Sequence, residues 1–289
     1  MKNIAFIGLG AMGERIAAHI LAGGYSLVVY NRDTSKTKGL KARGAKVAPS
    51  PKQAAENADV VMVMVTDDKA SQDVWLNERT GAIQGLSPDA VAIDLSTLSV
   101  AYSKTLAKTF KNKGIPYFEA PVIGSRPQAE AKTLVALVGG PNENFDTIRP
   151  LLECFSARVN FLGAPGKASA FKLGVNALLG IQASAFAEVF ATLMSVGYEA
   201  GALESIFSEL PITSPIMKNV TSLMLNDEFK PLFPIALIEK DLGYAEDLMV
   251  SKGLKPRVVK ASRESYKHAM DKGFGENNIS GVIQILKEN

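Results

Sequence analysis

The stretch NIAFIGLGAMGERIAAHILAGGYSLVVYNR, Asn3 to Arg32, decides the fold. Asn3 to Ile7 is a short apolar run of strand type, and Ser26 to Tyr30 is another. Between them Gly8, Gly10 and Gly13 open a helical pattern. A strand that runs into G-x-G-x-x-G and then a helix is the setting in which that motif is informative. Gly8 permits a tight turn, Gly10 lets the backbone approach a pyrophosphate, and Gly13 allows close helix packing. The amino end of the helix supplies oriented N–H donors for an anion. Gly8, Leu9, Gly10, Ala11, Met12 and Gly13 are therefore read as a dinucleotide cradle.

Working outward, Asp59 to Val65 and Ala90 to Leu95 are also near-continuous apolar runs. Strands without polar alternation are covered on both faces, which implies parallel strands with crossover helices. Tyr117 to Val122, Thr133 to Gly139 and Arg158 to Gly163 extend the sheet, the second of them as a candidate antiparallel strand. From Gly166 onward the pattern is helical, with no further convincing strand. The expected architecture is α/β: a Rossmann-type dinucleotide-binding domain over residues 1–164, followed by an all-α domain over 165–289 for substrate binding and oligomerisation. The break falls at Gly163 to Gly166 (GAPG), before a long helix that joins the two.

The chain has 289 residues, 47% of them apolar, enough for a buried core. A net charge of +3 is too small to draw in polyanions at long range, so no nucleic-acid partner is expected. The basic stretch Lys252 to Lys272 is interleaved with Glu264 and Asp271 and reads as a solvated helix face. Cys154 is the single cysteine, which excludes an internal disulfide framework and fits a reducing, cytoplasmic compartment. The N-terminal apolar run flows straight into the glycine motif and lacks a cleavage pattern, so the mature chain is expected to start at Met1. Leu173 to Gly197 is long and apolar enough to suggest a membrane span, but Asn176, Gln182 and Glu188 interrupt it. A helix buried in protein, at a domain centre or an oligomer interface, is the better reading, and no membrane partner is expected.

The second strand ends at Tyr30, so Asn31 stands where an acid would accept from the ribose hydroxyls. It carries no charge. Arg32 follows, and its guanidinium can pair with a 2′-phosphate, with Lys36 able to approach the same group. Together they favour NADP over NAD. Asp33 opposes this unless it turns outward or caps the next helix.

Hydride transfer to a carbonyl needs a proton donor for the oxygen. The two histidines are poorly placed: His19 lies inside the first helix and His268 near the C-terminus. No ligand cluster for a catalytic metal is visible. The helix start GKASAFKLGVNALLG, Gly166 to Gly180, offers Lys172 and Asn176 on one face, four residues apart. An ammonium can donate to a developing alkoxide, and the amide one turn on can orient it or the substrate. A surface pair is the plainer reading of this spacing, but the apolar helix around it argues against that.

GLGAMG, STLS at Ser96 to Ser99, EAPVIGSRPQAEAKTLVALVGG at Glu119 to Gly140, GKASAFKLGVNALLG, and FPIALIEKDLGYA at Phe233 to Ala245 occur in the order and spacing of the β-hydroxyacid dehydrogenases. The chain resembles that family over essentially its whole length, and most closely the glyoxylate and succinic semialdehyde reductase branch. The resemblance implies a 6-phosphogluconate dehydrogenase-like fold and a homodimer or homotetramer. It implies Lys172 as the catalytic lysine and Asn176 as the substrate-orienting asparagine. Thr97 is implied near nicotinamide and substrate, Val65 and Thr66 at the cofactor, and Lys240 reaching the cofactor. Phe233, Asp241 and the loop Ile123, Gly124, Ser125 are implied at a small carboxylate substrate. Family members generally have P-V-S-G in that loop, whereas this chain has Ile123 in place of the serine. Backbone N–H groups of Gly124 and Ser125 remain candidate carboxylate donors. The expected activity is NADPH-dependent reduction of small aldehyde or keto acids, or the reverse oxidation of 3-hydroxyacids. The alternatives are an imine reductase, which retained Lys172 disfavours and Ile123 keeps open, and a catalytically silent dinucleotide-binding scaffold.

Overall fold

In the computed structural model, which describes residues 2–287, the apolar runs of the first half form one nine-stranded sheet. Met1, the expected first residue, lies outside the described residues. The strands are β1 (Asn3–Ile7), β2 (Ser26–Tyr30), β3 (Lys46–Val47), β4 (Val60–Val63), β5 (Val91–Asp94), β6 (Tyr117–Glu119), β7 (Val122–Ile123), β8 (Leu134–Gly139) and β9 (Ser156–Gly163). Their order is β3-β2-β1-β4-β5-β6-β8-β7, with β9 also paired to β8. The pairs from β3 through β6 are all parallel. β8 runs antiparallel to β6 and β7, as its place in the sequence suggested, and parallel to β9. β3, two residues long, is an addition to what the sequence suggested, and the run Tyr117 to Val122, expected as one strand, is divided between β6 and β7.

Between the strands lie α1 (Gly13–Ala22), α2 (Lys38–Ala42), α3 (Pro51–Ala55), α4 (Asp68–Leu76), α5 (Val100–Asn112), α6 (Arg126–Glu130) and α7 (Phe145–Glu153). They explain why the strands lack polar alternation. Ile4 and Phe6 of β1 pack into one apolar cluster with Ile16 and Ile20 of α1, whereas Ala5 and Ile7 pack into another with Trp75, Leu106 and Phe110. Successive side chains of a strand point to opposite faces, and here both faces are covered.

This order puts a switch point at β1, whose neighbours β2 and β4 receive the chain in opposite directions. The loops leaving the carboxyl ends of β1 and β4 diverge there, which is where open α/β sheets bind ligands.

The chain divides into two compact units, with the boundary between Lys172 and Leu173. The second unit is helical. It takes in most of α8 (Lys167–Ser195), then α9 (Ala200–Glu209), α10 (Pro215–Leu225), α11 (Ile235–Ser251), α12 (Arg257–Asp271) and a 3-10 segment, Ile279–Leu286. Its one β-type feature among the described residues is an isolated bridge, Pro234 to Asn278. Gly180 lets α11 approach α8 closely, since a Cβ there would lie 3.1 Å from Ile238. Tyr266 of α12 donates to the Gly180 carbonyl at 2.8 Å. Arg263 joins Glu239 and Glu246 of α11.

α8 has the length and composition of a membrane span, yet only 33% of its most apolar window is buried within the chain. Burial of this helix inside one chain is thus incomplete: Phe171, Leu178 and Val189 are exposed.

Candidate active site

The glycine loop follows β1 directly. Gly8 has φ +100°, and a Cβ there would lie 2.1 Å from the Met64 carbonyl oxygen and 3.2 Å from Val65 Cγ1. The loop therefore lies against the end of β4, where Val65 is half-buried and Thr66 exposed. A Cβ on Gly13 would lie 2.1 Å from the Gly8 carbonyl oxygen, so the first residue of α1 has to be glycine for the turn to close. Gly10 is different: a Cβ on it would meet no protein atom within 4 Å. With Gly10 and Ala11 exposed ahead of the amino end of α1, the loop offers an anion open backbone and helix N–H groups. These residues fit a dinucleotide pyrophosphate.

Asn31 holds the loop in place. Its Oδ1 accepts from the Leu9 amide at 2.8 Å, and its Nδ2 donates to the Asp33 carbonyl at 2.9 Å. The oxygen expected at the ribose is thus already engaged with the cradle, a use that residue spacing alone does not show. Arg32 and Lys36 are exposed beside it. Asp33 takes the capping role: its carboxylate accepts from the Ser35 amide at 3.0 Å and the Ser35 hydroxyl at 2.7 Å. Those bonds, with Lys36 and Lys38 nearby, hold its carboxyl below the usual range. Asp33 is therefore ionised at neutral pH and tied to its own turn.

Past β5, the half-buried Thr97 follows Ser96, whose hydroxyl accepts from the Val65 amide at 2.9 Å. Asp94 fixes this segment. It accepts from Ser96 N (2.8 Å), Trp75 Nε1 (2.8 Å) and Ser71 Oγ (2.9 Å) while buried. Burial pushes its carboxyl up, and the three donors pull the other way. A single acid inside the apolar run AVAIDL was the available signal for this role.

In the candidate substrate loop, half-buried Ile123 pairs with Val135 across β7 and β8. Gly124 has φ +121°, and a Cβ would lie 2.8 Å from Leu134 and 2.9 Å from Gln128. The Ser125 amide donates to Gln128 Oε1 at 2.9 Å. This corrects one expectation: the Ser125 N–H is engaged by its own helix, which leaves Gly124 as the backbone donor of that pair for a carboxylate.

Lys172 and Asn176 sit one turn apart on α8, with 8% and 4% of their surface exposed, so they are not a surface pair. In the helical unit, Asn176 Nδ2 donates to Asp241 Oδ2 at 2.6 Å. Lys240 Nζ pairs with Asp241 Oδ1 at 2.7 Å and lies 4.8 Å from the Tyr244 ring centroid. One buried carboxylate thus orients both an amide and an ammonium. Phe233 is half-buried, and Asn278 Oδ1 accepts from its amide at 2.9 Å. His19 Nε2 donates to the Ala129 carbonyl at 2.8 Å, which ties it to the backbone. Among the described residues no cluster of three or more His, Cys, Asp or Glu is placed to hold a metal ion.

A glycine cradle at the switch point of a mostly parallel sheet, followed by a helical unit entered through a buried lysine and asparagine, defines a two-domain nicotinamide-dinucleotide oxidoreductase. Comparison with known proteins agrees. Residues 3–163 match the family described as NAD binding domain of 6-phosphogluconate dehydrogenase, and residues 166–286 match the family described as NAD-binding of NADP-dependent 3-hydroxyisobutyrate dehydrogenase. An uncharacterized oxidoreductase of Bacillus subtilis, YfjR, is 35% identical over 99% of this chain and 100% of its own. The chloroplastic glyoxylate/succinic semialdehyde reductase 2 of Arabidopsis thaliana is 31% identical over 99% of this chain and 79% of its own. The solved structure of Mycobacterium tuberculosis 3-hydroxyisobutyrate dehydrogenase with L-serine superposes with TM-score 0.88, at 28% identity over 99% of each chain. The chain belongs to the β-hydroxyacid dehydrogenase family and is an NAD(P)-dependent oxidoreductase of hydroxyacids.

Proposed function

We propose that this chain is an NADPH-preferring reductase of small aldehyde or keto acids, glyoxylate and succinic semialdehyde among them, and catalyses the reverse oxidation of 3-hydroxyacids. The observation that carries the reading is the buried Lys172, one turn before an asparagine whose amide is fixed by Asp241. When bound, the nicotinamide supplies or accepts hydride at C4. Lys172 holds the proton at Nζ for the carbonyl oxygen, and Asn176 orients the same oxygen or the substrate hydroxyl. The Gly8 to Gly13 loop holds the pyrophosphate. In the first unit the family resemblance assigns Val65, Thr66 and Thr97 to the cofactor and Thr97, Ile123, Gly124 and Ser125 to the substrate; in the helical unit it assigns Lys240 to the cofactor and Phe233 and Asp241 to the substrate. Spectrophotometric screening with NADPH and NADH against glyoxylate, semialdehydes and cyclic imines tests it. Turnover confined to imines would replace this reading with imine reduction.

The cofactor preference rests on uncharged Asn31 and exposed Arg32, with Asp33 tied to Ser35. Removing a charge-assisted hydrogen bond costs about 1.5–3 kcal/mol. Arg32→Ala is therefore expected to weaken NADPH binding about tenfold or more and leave NADH little changed. Equal losses for both, measured by fluorescence titration, would make Arg32 structural.

Ile123 is expected to shift the pocket away from the family's small carboxylate substrates, because a hydroxyl donor is missing and an apolar side chain stands in its place. Ile123→Ser should raise kcat/KM for glyoxylate or succinic semialdehyde about fivefold, within the range of one hydrogen bond. No gain in a folded, NADPH-binding variant would remove Ile123 from the specificity argument. We also place the chain in the cytoplasm as a homodimer or homotetramer. The exposed apolar residues of α8 support the oligomer, since such surface is commonly covered by a partner, and sedimentation velocity reads the mass directly.

A further inference from the structure

Glu119 is a buried carboxylate that the proposed chemistry does not use. It ends β6, opposite Asp94 on one side and Gly139 on the other, with 2% of its surface exposed. An unpaired charge there would carry a large desolvation cost. Both oxygens are filled instead. Oε1 accepts from the backbone amides of Gly166 (2.7 Å) and Ala168 (2.8 Å). Oε2 accepts from the Ser169 hydroxyl (2.6 Å) and from the Ser103 hydroxyl of α5.

Three of these four donors belong to the start of α8, and the acceptor comes from a strand 47 residues earlier. The usual helix cap is the residue just before the helix, which leaves the helix free to move with its own loop. Here the cap is a sheet residue, so the first turn of α8 is fixed to the sheet. The carboxylate also lies at the positive end of the helix dipole. The seat is closed from the other side by Gly139, where a Cβ would lie 2.5 Å from Glu119 Oε1. Lys172 follows Ala168 by four residues, one turn along the same helix.

We propose that Glu119 is a positioning residue: it sets the axial and rotational register of α8 and thereby the place of the Lys172 ammonium. This rests on the reading of Lys172 as the proton donor. A displacement of about 1 Å in a reacting group can cost about a hundredfold in rate, so a loosened first turn falls on turnover rather than on cofactor affinity.

The test is Glu119→Gln, measured beside Lys172→Ala. The amide keeps one acceptor oxygen and replaces the other with a donor. Expected are a tenfold or greater fall in kcat, an NADPH Kd within twofold of the parent, and tenfold faster hydrogen exchange at the Gly166 and Ala168 amides. Unchanged kcat or unchanged exchange overturns the proposal, as does joint loss of kcat, NADPH affinity and Tm, which marks a merely structural role. Should Glu119→Gln not fold, the double variant Ser103→Ala/Ser169→Ala decides. It keeps the charge and both amide bonds, and a kcat at least threefold lower with unchanged NADPH Kd supports the proposal, whereas a parental kcat overturns it. An inactive Lys172→Ala beside a normal Glu119→Gln removes only the positioning role, and an active Lys172→Ala removes the reading on which it rests.

Discussion

Lys172→Ala is expected to lower kcat on the best substrate by about two to four orders of magnitude, the usual scale of general acid catalysis. NADPH binding should survive, because the residues proposed for the pyrophosphate and the 2′-phosphate lie between Gly8 and Lys36. The expectation follows from burial and from elimination. An ammonium that is 8% exposed has given up most of its hydration, and functional sites are where such groups concentrate. The chain's two histidines are His19, engaged with the Ala129 carbonyl, and His268, in the last turn of α12. Lys172→Arg separates charge from proton donation. A guanidinium keeps the positive charge but holds its proton too tightly to act as a general acid, so it should recover little of the rate. Steady-state kinetics with one good substrate decide the matter: near-normal turnover in Lys172→Ala would end the proposed mechanism.

The parts of this enzyme legible in the sequence are those whose cause is local. β1, β2, β4 and β5 stand out because strands covered on both faces are apolar along most of their length, and the glycine loop because its spacing reports a turn. β3 leaves no such trace: Lys46 and Val47 are two exposed residues at the edge of the sheet. The carboxylates that organise the site were hidden for another reason. Asp94 and Glu119 look like single polar residues in apolar runs, and their donors come from Ser71, Trp75, Gly166, Ala168 and Ser169, which only the fold brings near. Asn31 shows the same limit. Its type and place suggested a ribose contact, whereas its Oδ1 accepts from Leu9, a residue 22 positions away, and shapes the cradle.

The three loop glycines, equivalent in the motif, should separate on substitution. Gly8→Ala would place a methyl 2.1 Å from a backbone carbonyl oxygen at φ +100°, where alanine is already strained. Gly13→Ala would place one 2.1 Å from the Gly8 carbonyl oxygen. Neither obstacle is a flexible side chain that can turn aside, so each variant should lose about 3 kcal/mol or more, in the range of strained and overpacked sites. A thermal scan without cofactor should show the loss as a fall in Tm of several degrees. Gly10→Ala meets no protein atom within 4 Å, and its stability without cofactor should stay within about 0.5 kcal/mol of the parent. Its cost should appear only on binding. A methyl on the open side of the cradle holds the pyrophosphate off the backbone amides. Without one or two charge-assisted bonds, at about 1.5–3 kcal/mol each, NADPH and NADH alike should bind tenfold to more than a hundredfold more weakly. Equal loss for the two cofactors is the signature that separates this variant from Arg32→Ala, which is expected to discriminate between them. If Gly10→Ala lowered Tm without cofactor as much as Gly8→Ala, Gly10 would be structural. If it bound NADPH like the parent, the pyrophosphate would have to lie elsewhere than on this loop.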